Sequence, residues 1–363
     1  MPSPLHVGLI YGGQSSEHDI SIRSARSVFE ALDAERYTVT LIQIDRDGRW
    51  HIDASPDTLF ATASATEGAP ALFVPQDPNG PVWSAEPDAH SFTRLDALGL
   101  DVAFPMLHGT NGEDGRIQGF LHTLGLATVG CDVLASAACM NKDVTKRLLD
   151  HAGLPVTPSR TVRPGDAIDF DALAAALGTP MFVKPANSGS SVGVTKVEHA
   201  HQLDDALELA FGYDRTVLIE TGIDGREIEC AVLGNETPEA SVPGEIVSTA
   251  QFYTYDAKYE DPDASHMEVP ADLPPDVSEQ VRQLALAAYT ALGCEGMARV
   301  DVFVTPEHKV LVNEINTIPG FTSRSMYPVM WAHDGLDLAA LVDRLIELAM
   351  ARHQRDRKLL TTR

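Results

Sequence analysis

Between Arg299 and Gly320 the chain reads RVDVFVTPEHKVLVNEINTIPG, and no other stretch narrows the fold as much. Val300, Val302 and Val304 alternate with Arg299, Asp301 and Phe303, the period of a half-buried strand. A polar break at Pro306, Glu307, His308 and Lys309 follows, then a second alternating run in which Leu311, Asn313 and Ile315 are set against Val312, Glu314 and Asn316. This pattern predicts a β-hairpin. If the four polar residues form its loop, Thr305 pairs with Val310, Asp301 faces Glu314 and Arg299 faces Asn316. Residues directly opposite share a face. One face therefore carries two carboxylates, an amide and a guanidinium, and the other is apolar and has to be covered. Two acids at cross-strand distance repel unless something positive lies between them. Mg²⁺ meets that need, since it takes one or two carboxylates and completes its shell with water and substrate phosphates. The hairpin alone leaves open whether it is such a site or a solvated face with idle charges.

A second constraint comes from the N-terminus. The apolar run LHVGLIY, residues 5–11, ends in Gly12-Gly13. A helical pattern with Ala25, Val28, Phe29 and Leu32 on one face comes next, then a strand from Thr38 to Ile44. Strand, glycine turn, helix and strand make a βαβ unit and imply a parallel sheet. Ligands of such sheets lie beyond the carboxyl ends of the strands, where GGQSSEHDIS sits. Glu17 is placed there either to cap a helix or to hold a cation. Another buried strand, Asp101–Leu107, runs into HGTNGEDG, whose glycines let the backbone approach a ligand. Residues 53–97 are rich in Ala, Pro, Ser, Asp and Gly with little periodicity, and read as a surface excursion holding at most a weak hairpin.

Beyond Asn141, a fair N-cap, the chain changes module. Met181–Lys184 and Val192–Val197 bracket a Gly/Ser tip that could fold over phosphates, with Lys184 supplying charge. Residues 251–270 read as a long loop of the kind that forms lids, with Phe252, Tyr253, Tyr255 and Tyr259 around Lys258.

The 363 residues suffice for two or three domains, and the net charge of −25 argues against nucleic acid and anionic membranes as partners. A phosphate-rich ligand would need the few lysines and arginines concentrated at its site. No apolar run is long enough to span a bilayer and no signal peptide is evident, so a cytoplasmic location is expected. The cysteines, Cys131, Cys139, Cys230 and Cys294, have no C-x-x-C spacing and are expected to be free thiols.

Taken in order, EHDIS, HGTNGEDG, MNK, FVKPANSGSSVG, YDAKY, ARVDVFV and NEINTIPGFTSRSMYP closely resemble the D-alanine–D-alanine ligases of the ATP-grasp superfamily, over about residues 5–355. The resemblance implies an N-terminal α/β (pre-ATP-grasp) domain over 1–141 with a parallel sheet. It implies a two-lobed α+β ATP-grasp domain over 142–221 and 222–355, and a tail over 356–363. ATP and two Mg²⁺ (or Mn²⁺) are the implied cofactors, D-alanine the substrate, and a homodimer the assembly. By position, Lys142, Lys184, Ser191 and Lys258 would hold phosphates. Glu220 and Glu227 would contact adenine and ribose, and Asp301, Glu314 and Asn316 would hold the metals. Glu17 would bind the first ammonium, joined by Ser190 and Tyr259, with His108 near the first carboxylate. Arg299 and the Gly320 N–H would stabilise the oxyanion, and Ser325 would take the second carboxylate. The implied reaction is ATP-dependent joining of two D-alanines through an acyl phosphate. A D-alanine–D-lactate ligase or another ATP-grasp carboxylate–amine ligase is the nearest competing reading. A nucleotide-binding regulator without catalysis is the reading from another class, and the metal acids argue against it.

Overall fold

The computed structural model describes residues 3–52, 69–73, 82–87, 92–189, 192–248 and 265–359. Three sheets follow one another along the chain. The first contains β1 (Leu5–Gly12), β2 (Tyr37–Ile44), β3 (Trp50–Ile52), β4 (Ala69–Phe73), β5 (Val82–Pro87), β6 (Phe92–Ala97), β7 (Val102–Met106) and β8 (Ala127–Thr128), in the order β6-β5-β4-β3-β2-β1-β7-β8. The pairs β1–β2, β1–β7 and β7–β8 are parallel, as the βαβ pattern requires. Strands β3 to β6 add an antiparallel meander. The reading of 53–97 as irregular therefore needs correction: its described residues include three strands that extend the sheet. Helix α1 (His18–Ala31) packs on the face bearing Leu9, Tyr11, Phe104 and Met106, and α2 (Arg116–Thr123) on the face bearing Ile10, Ile42 and Ala103.

Two helices, α3 (Val133–Met140) and α4 (Lys142–His151), lead to the second sheet, with Asn141 capping α4 through a bond from the Val144 N–H. That sheet holds β9 (Ser159–Val162), β10 (Met181–Pro185), β11 (Thr195–Val197) and β12 (Val217–Thr221) and is antiparallel throughout. Helices α5 (Phe170–Leu177) and α6 (Leu203–Phe211) bury Leu173, Leu207 and Ala210 against it. The third sheet contains β13 (Arg226–Gly234), β14 (Glu239–Ala240), β15 (Gly244–Ser248), β16 (Ser265–Glu268), β17 (Gly296–Val304) and β18 (Val310–Asn316). Helix α7 (Pro275–Ala291) covers it with Val277, Val281 and Ala285. Leu149 of α4 joins this third core, and Val156 bridges to Val312. The cores thus divide later than the change of module at Asn141.

The chain ends with α8 (Met326–His333) and α9 (Leu338–Asp356). Tyr327, Leu341, Leu345 and Ile346 of these helices share one core with the α1 face of the first sheet and with Ala231 and Met297 of the third. Buried Arg352 donates to the Gly130 and Thr128 carbonyls, each at 2.7 Å. The last helix therefore ties the first module to the third, which is what brings their loops together. All four cysteines are free and buried. Among the described residues, no helix is long and apolar enough to cross a membrane.

The hairpin of β17 and β18 has a detail the residue count misses. Val304 pairs with Val310, Phe303 with Leu311 and Val302 with Val312, and then the register shifts. The Thr305 N–H bonds to the Lys309 carbonyl at 3.0 Å, so the loop is Pro306–His308, one residue shorter than the polar break suggests. A bulge at Asn313 restores the count, and Asp301 faces Glu314 and Arg299 faces Asn316 as expected. The bulge also lets Val312 and Ile315 both enter the core while Glu314 and Asn316 stay on the polar face.

Candidate active site

The polar face of the third sheet is a row across three strands. Glu229 of β13 pairs with Asp301 of β17, which pairs with Glu314 of β18. Next to that row, Arg299 lies opposite Asn316. The Arg299 guanidinium forks onto Asp301, donating from Nε and Nη2 at 2.7 Å each, and its Nε lies 3.0 Å from Glu229 Oε2. Burial alone would lower the Arg299 pKa, but Asp301 and Glu229 hold it well above the ordinary value. Asn316 Nδ2 donates to Asp301 Oδ2 at 2.8 Å. Glu229 is a member of this set that the sequence reading passed over, although its alternation in REIECAV places it on this face.

Lys142, in the first turn of α4, reaches the row from the side. Its Nζ is 3.2 Å from Glu314 Oε2 and donates to the Ser188 carbonyl at 2.7 Å. A cation in a helix's first turn is unfavourable by itself, and here the acid row and the Ser188 loop offset that. One turn on, Lys146 is buried and pairs with Glu220 Oε1 at 3.1 Å, while Lys184 of β10 pairs with Glu220 Oε2 at 2.6 Å. Burial pulls Lys146 down to about 8, and the positive charges of Lys184 and Lys142 add to that against the pull of Glu220. Burial pushes the Glu220 carboxyl up, yet Lys184 and Lys146 outweigh it and hold the group below its usual range. The resemblance implies an adenine contact for Glu220, and in this structure its carboxylate pairs with two lysines. Glu227 is exposed on β13, opposite Phe303. Lys142, Lys146 and Lys184 form the concentration of positive charge that an acidic chain needs to hold phosphates. Lys146 could have been found from its i+4 spacing to Lys142.

From the first sheet, Glu17 stands at the N-cap of α1 without a capping bond from its side chain. Its carboxylate lies against two glycines. A Cβ at Gly109 would fall 2.5 Å from Glu17 Oε2 and one at Gly189 would fall 3.4 Å from it. Gly109 also has φ +72, a backbone conformation that favours glycine. Buried His108 spans two modules: Nδ1 is 2.9 Å from the Ile318 carbonyl and Nε2 is 2.9 Å from Ser24 Oγ. A carbonyl only accepts, so Nδ1 carries a proton and donates to it. Ser24 Oγ accepts in turn from the Phe321 N–H at 3.2 Å. The His108 ring thus holds the loop after β18 in place. In that loop Gly320 lies beside Ser325, since a Cβ on Gly320 would meet Ser325 Oγ at 2.8 Å. Ser325 Oγ accepts from the Thr322 N–H at 3.0 Å. Ser190, Ser191, Lys258 and Tyr259 lie outside the described residues.

Glu113 is the second acid that the sequence reading did not single out, although it sits inside HGTNGEDG. Its Oε2 accepts from the Gly109 N–H at 2.8 Å and its Oε1 from the Ile318 N–H at 3.0 Å, so it clasps the first module to the third. Burial pushes the Glu113 carboxyl up to about 7 and Glu17 adds repulsion; the two N–H groups and Arg299 pull it down without prevailing. With an unfolded value of 4.5, the native state binds the extra proton between the two values. Stability therefore falls as pH rises through that window, by up to about 3 kcal/mol, and the cost is absent below it. We expect urea unfolding at about pH 5 and about pH 8 to show a loss larger in the wild type than in Glu113→Gln by roughly this amount. Equal losses in both would place the charge penalty elsewhere.

These groups connect into one site where the three modules meet: lysines over an acid row, a buried guanidinium, a glycine-lined carboxylate, and a serine beside a bare backbone loop. The chain's residues 6–131 match the family model D-ala D-ala ligase N-terminus, and 148–347 match D-ala D-ala ligase C-terminus. D-alanine–D-alanine ligase A of Escherichia coli strain K12 is 49% identical over 367 aligned residues, covering 99% of both chains. The solved D-alanine–D-alanine ligase from Coxiella burnetii has a TM-score of 0.87 and 41% identity, covering 98% of this chain and 96% of that one. The D-alanine–D-alanine ligase from Bacillus anthracis, solved complexed with ATP, has a TM-score of 0.73 and 28% identity, covering 97% of this chain and 99% of that one. With both family models matched in turn along an ATP-grasp fold, this chain belongs to the D-alanine–D-alanine ligase family.

Proposed function

We propose that this protein joins two D-alanine molecules into D-alanyl-D-alanine at the expense of ATP, a step in building peptidoglycan precursors. The single observation that carries this reading is the meeting of the lysine cluster, the Glu229–Asp301–Glu314 row and the Glu17 carboxylate at one junction. A carboxylate resists attack by an amine until it is activated. Lys142 and Lys184 bind the ATP phosphates and orient the terminal one toward the first D-alanine, whose ammonium Glu17 holds. Phosphoryl transfer depends chiefly on such positioning and on neutralising charge. The product is a D-alanyl phosphate. The amine of the second D-alanine, whose carboxylate Ser325 holds, then attacks it and expels phosphate. Arg299 and the Gly320 N–H donate to the oxyanion of that step. His108 and Glu113 act on the chemistry by holding the loop that carries Gly320 and Ser325.

The donor set suits Mg²⁺ or Mn²⁺. Asp301, Glu314 and the Asn316 amide are hard oxygen donors on one face. Among the described residues no three His, Cys, Asp or Glu converge as a metal-binding group, which fits an ion that draws its remaining ligands from ATP and water. When bound, the metal would neutralise phosphate charge. Glu227 would meet the ribose, and Ser190, Ser191, Lys258 and Tyr259 would close over the nucleotide. We also infer a homodimer that works in the cytoplasm.

The test is ATP-dependent release of phosphate with D-alanine, D-serine and D-lactate offered as second substrate, and identification of each product. Activity with D-lactate and none with D-alanine would overturn the assignment. Tyr259→Phe is expected to raise the ester-to-dipeptide ratio when D-lactate and D-alanine compete, most clearly at high pH. An unchanged ratio would remove Tyr259 from the control of the second substrate.

A further inference from the structure

A cavity of about 240 Å³ opens at the carboxyl ends of β1, β2 and β7. The strand order reverses at β1, which lies between β2 and β7, and parallel sheets leave a ligand crevice at such a point. The proposed D-alanine groups use the side of this crevice toward α1, where His108 is held by Ser24. The cavity opens on the other side, with His108 in the wall between the two. Ile44, Leu107 and Ile117 in its wall belong to the core under α2, and Glu17 lies beyond the wall, against Gly109 and Gly189.

Its lining has two chemistries. One wall is apolar and aromatic: Trp50 and Phe120 lie 5.6 Å apart by ring centroids, and both pack on Phe73, at 5.0 and 4.8 Å. The other wall is bare or amide-bearing backbone from two loops, left-handed at Gly12, Gly13 and Asn111. The Gln14 amide crosses the mouth toward Gly48, where a Cβ would lie 3.6 Å from its Oε1. Arg116 is at the rim but pairs with Asp114 and points at Asn111 Oδ1 at 3.4 Å, so its charge is already offset. With a chain charge of −25, nothing here favours an anion. An engineered apolar cavity of about 150 Å³ takes benzene, so this one has room for a second ring.

We infer that this cavity is a binding site for a neutral, flat heteroaromatic molecule of two fused rings with adjacent hydrogen-bond donor and acceptor. Its rings lie against Trp50 and Phe120, and its polar edge meets the Gln14 and Asn111 amides. The site is regulatory by construction. The loop that supplies Gln14 and Ser15 continues into Glu17, and the loop that supplies Thr110–Gly112 continues into Glu113. Ser15 Oγ donates to the His108 carbonyl at 3.1 Å and ties the two loops together. An occupant presses on both loops and changes how tightly the first D-alanine is held; this coupling rests on the proposed role of Glu17, whereas the binding does not.

The probe is 7-azaindole, titrated by calorimetry into the full-length protein saturated with ADP so that the nucleotide site is covered. Saturable one-to-one binding is expected, with quenching of tryptophan fluorescence. Thr110→Trp at the rim and Ile117→Phe in the wall should each weaken it at least about tenfold, a loss of about 1.4 kcal/mol. Thermal unfolding shows which variant is folded, and either one suffices. No saturable binding, or equal binding in the folded filled variants, overturns the site. In turnover assays, 7-azaindole should shift the KM for D-alanine about threefold in the wild type and leave the filled variants unmoved. Intact binding with an unmoved wild-type KM overturns the coupling. Absence of ligase activity would count against the proposed function and leave the calorimetric result standing.

Discussion

Arg299→Met should cost about 3–5 kcal/mol of stability and lower kcat by roughly 10²–10³-fold. The two losses have different origins. The stability loss arises because Asp301 and buried Glu229 would lose the guanidinium that forks between them. Breaking a buried ion pair from one side leaves an uncompensated charge, which is costlier than never having had the pair. The rate loss arises because a fixed donor aimed at a developing oxyanion is removed. Arg299→Lys separates the two effects. Lysine restores the charge but not the planar fork, so stability should recover more than kcat. Urea unfolding and steady-state phosphate release read the two quantities. A methionine variant as stable as the wild type would sink the claim that Arg299 holds the acid row together.

Asp301→Asn keeps the shape and removes one charge. Turnover should fall by about 10³-fold, because a metal's contribution to phosphoryl transfer amounts to several kcal/mol and each 1.4 kcal/mol is about tenfold. Mn²⁺ binding in the presence of ATP, followed by electron paramagnetic resonance, should weaken in parallel. Retained Mn²⁺ affinity together with lost turnover would assign Asp301 to orienting Arg299 rather than to holding metal. Wild-type turnover would refute both roles. The same experiment on Glu314→Gln carries a second consequence, since Lys142 loses its acid partner and keeps the Ser188 carbonyl.

How much of this was legible before the structure depends on whether the signal was local. The acid row could be read because strand alternation is a two-residue rule. Even there, two errors of one residue cancelled: the loop is one residue shorter than the polar break, and the bulge at Asn313 makes up the difference. Lys146, Glu113 and Glu229 were not picked out because each owes its importance to partners far along the chain: Glu220, Ile318 and Arg299. Burial and pairing, not residue type, make them part of the site. The strands within 53–97 escaped notice for another reason. They form the outer meander of the sheet, and their Ala- and Pro-rich sequence shows little alternation. Likewise α8 is apolar on nearly every side, because it is wedged between modules, and so offers no amphipathic stripe to read.

The bulge has a consequence for how the hairpin could be altered. Asp301 and Glu314 take their register from the Arg299–Asn316 end, where Arg299, Asp301 and Glu229 lock together, and not from the turn. The turn from Thr305 to Lys309 lies beyond that anchor and beyond the last core pair, Val304 and Val310. Residues could therefore be spliced into Thr305–Lys309, or a foreign peptide displayed there, with Asp301 and Glu314 still face to face. The tip of this hairpin is a handle on which the acid row does not depend.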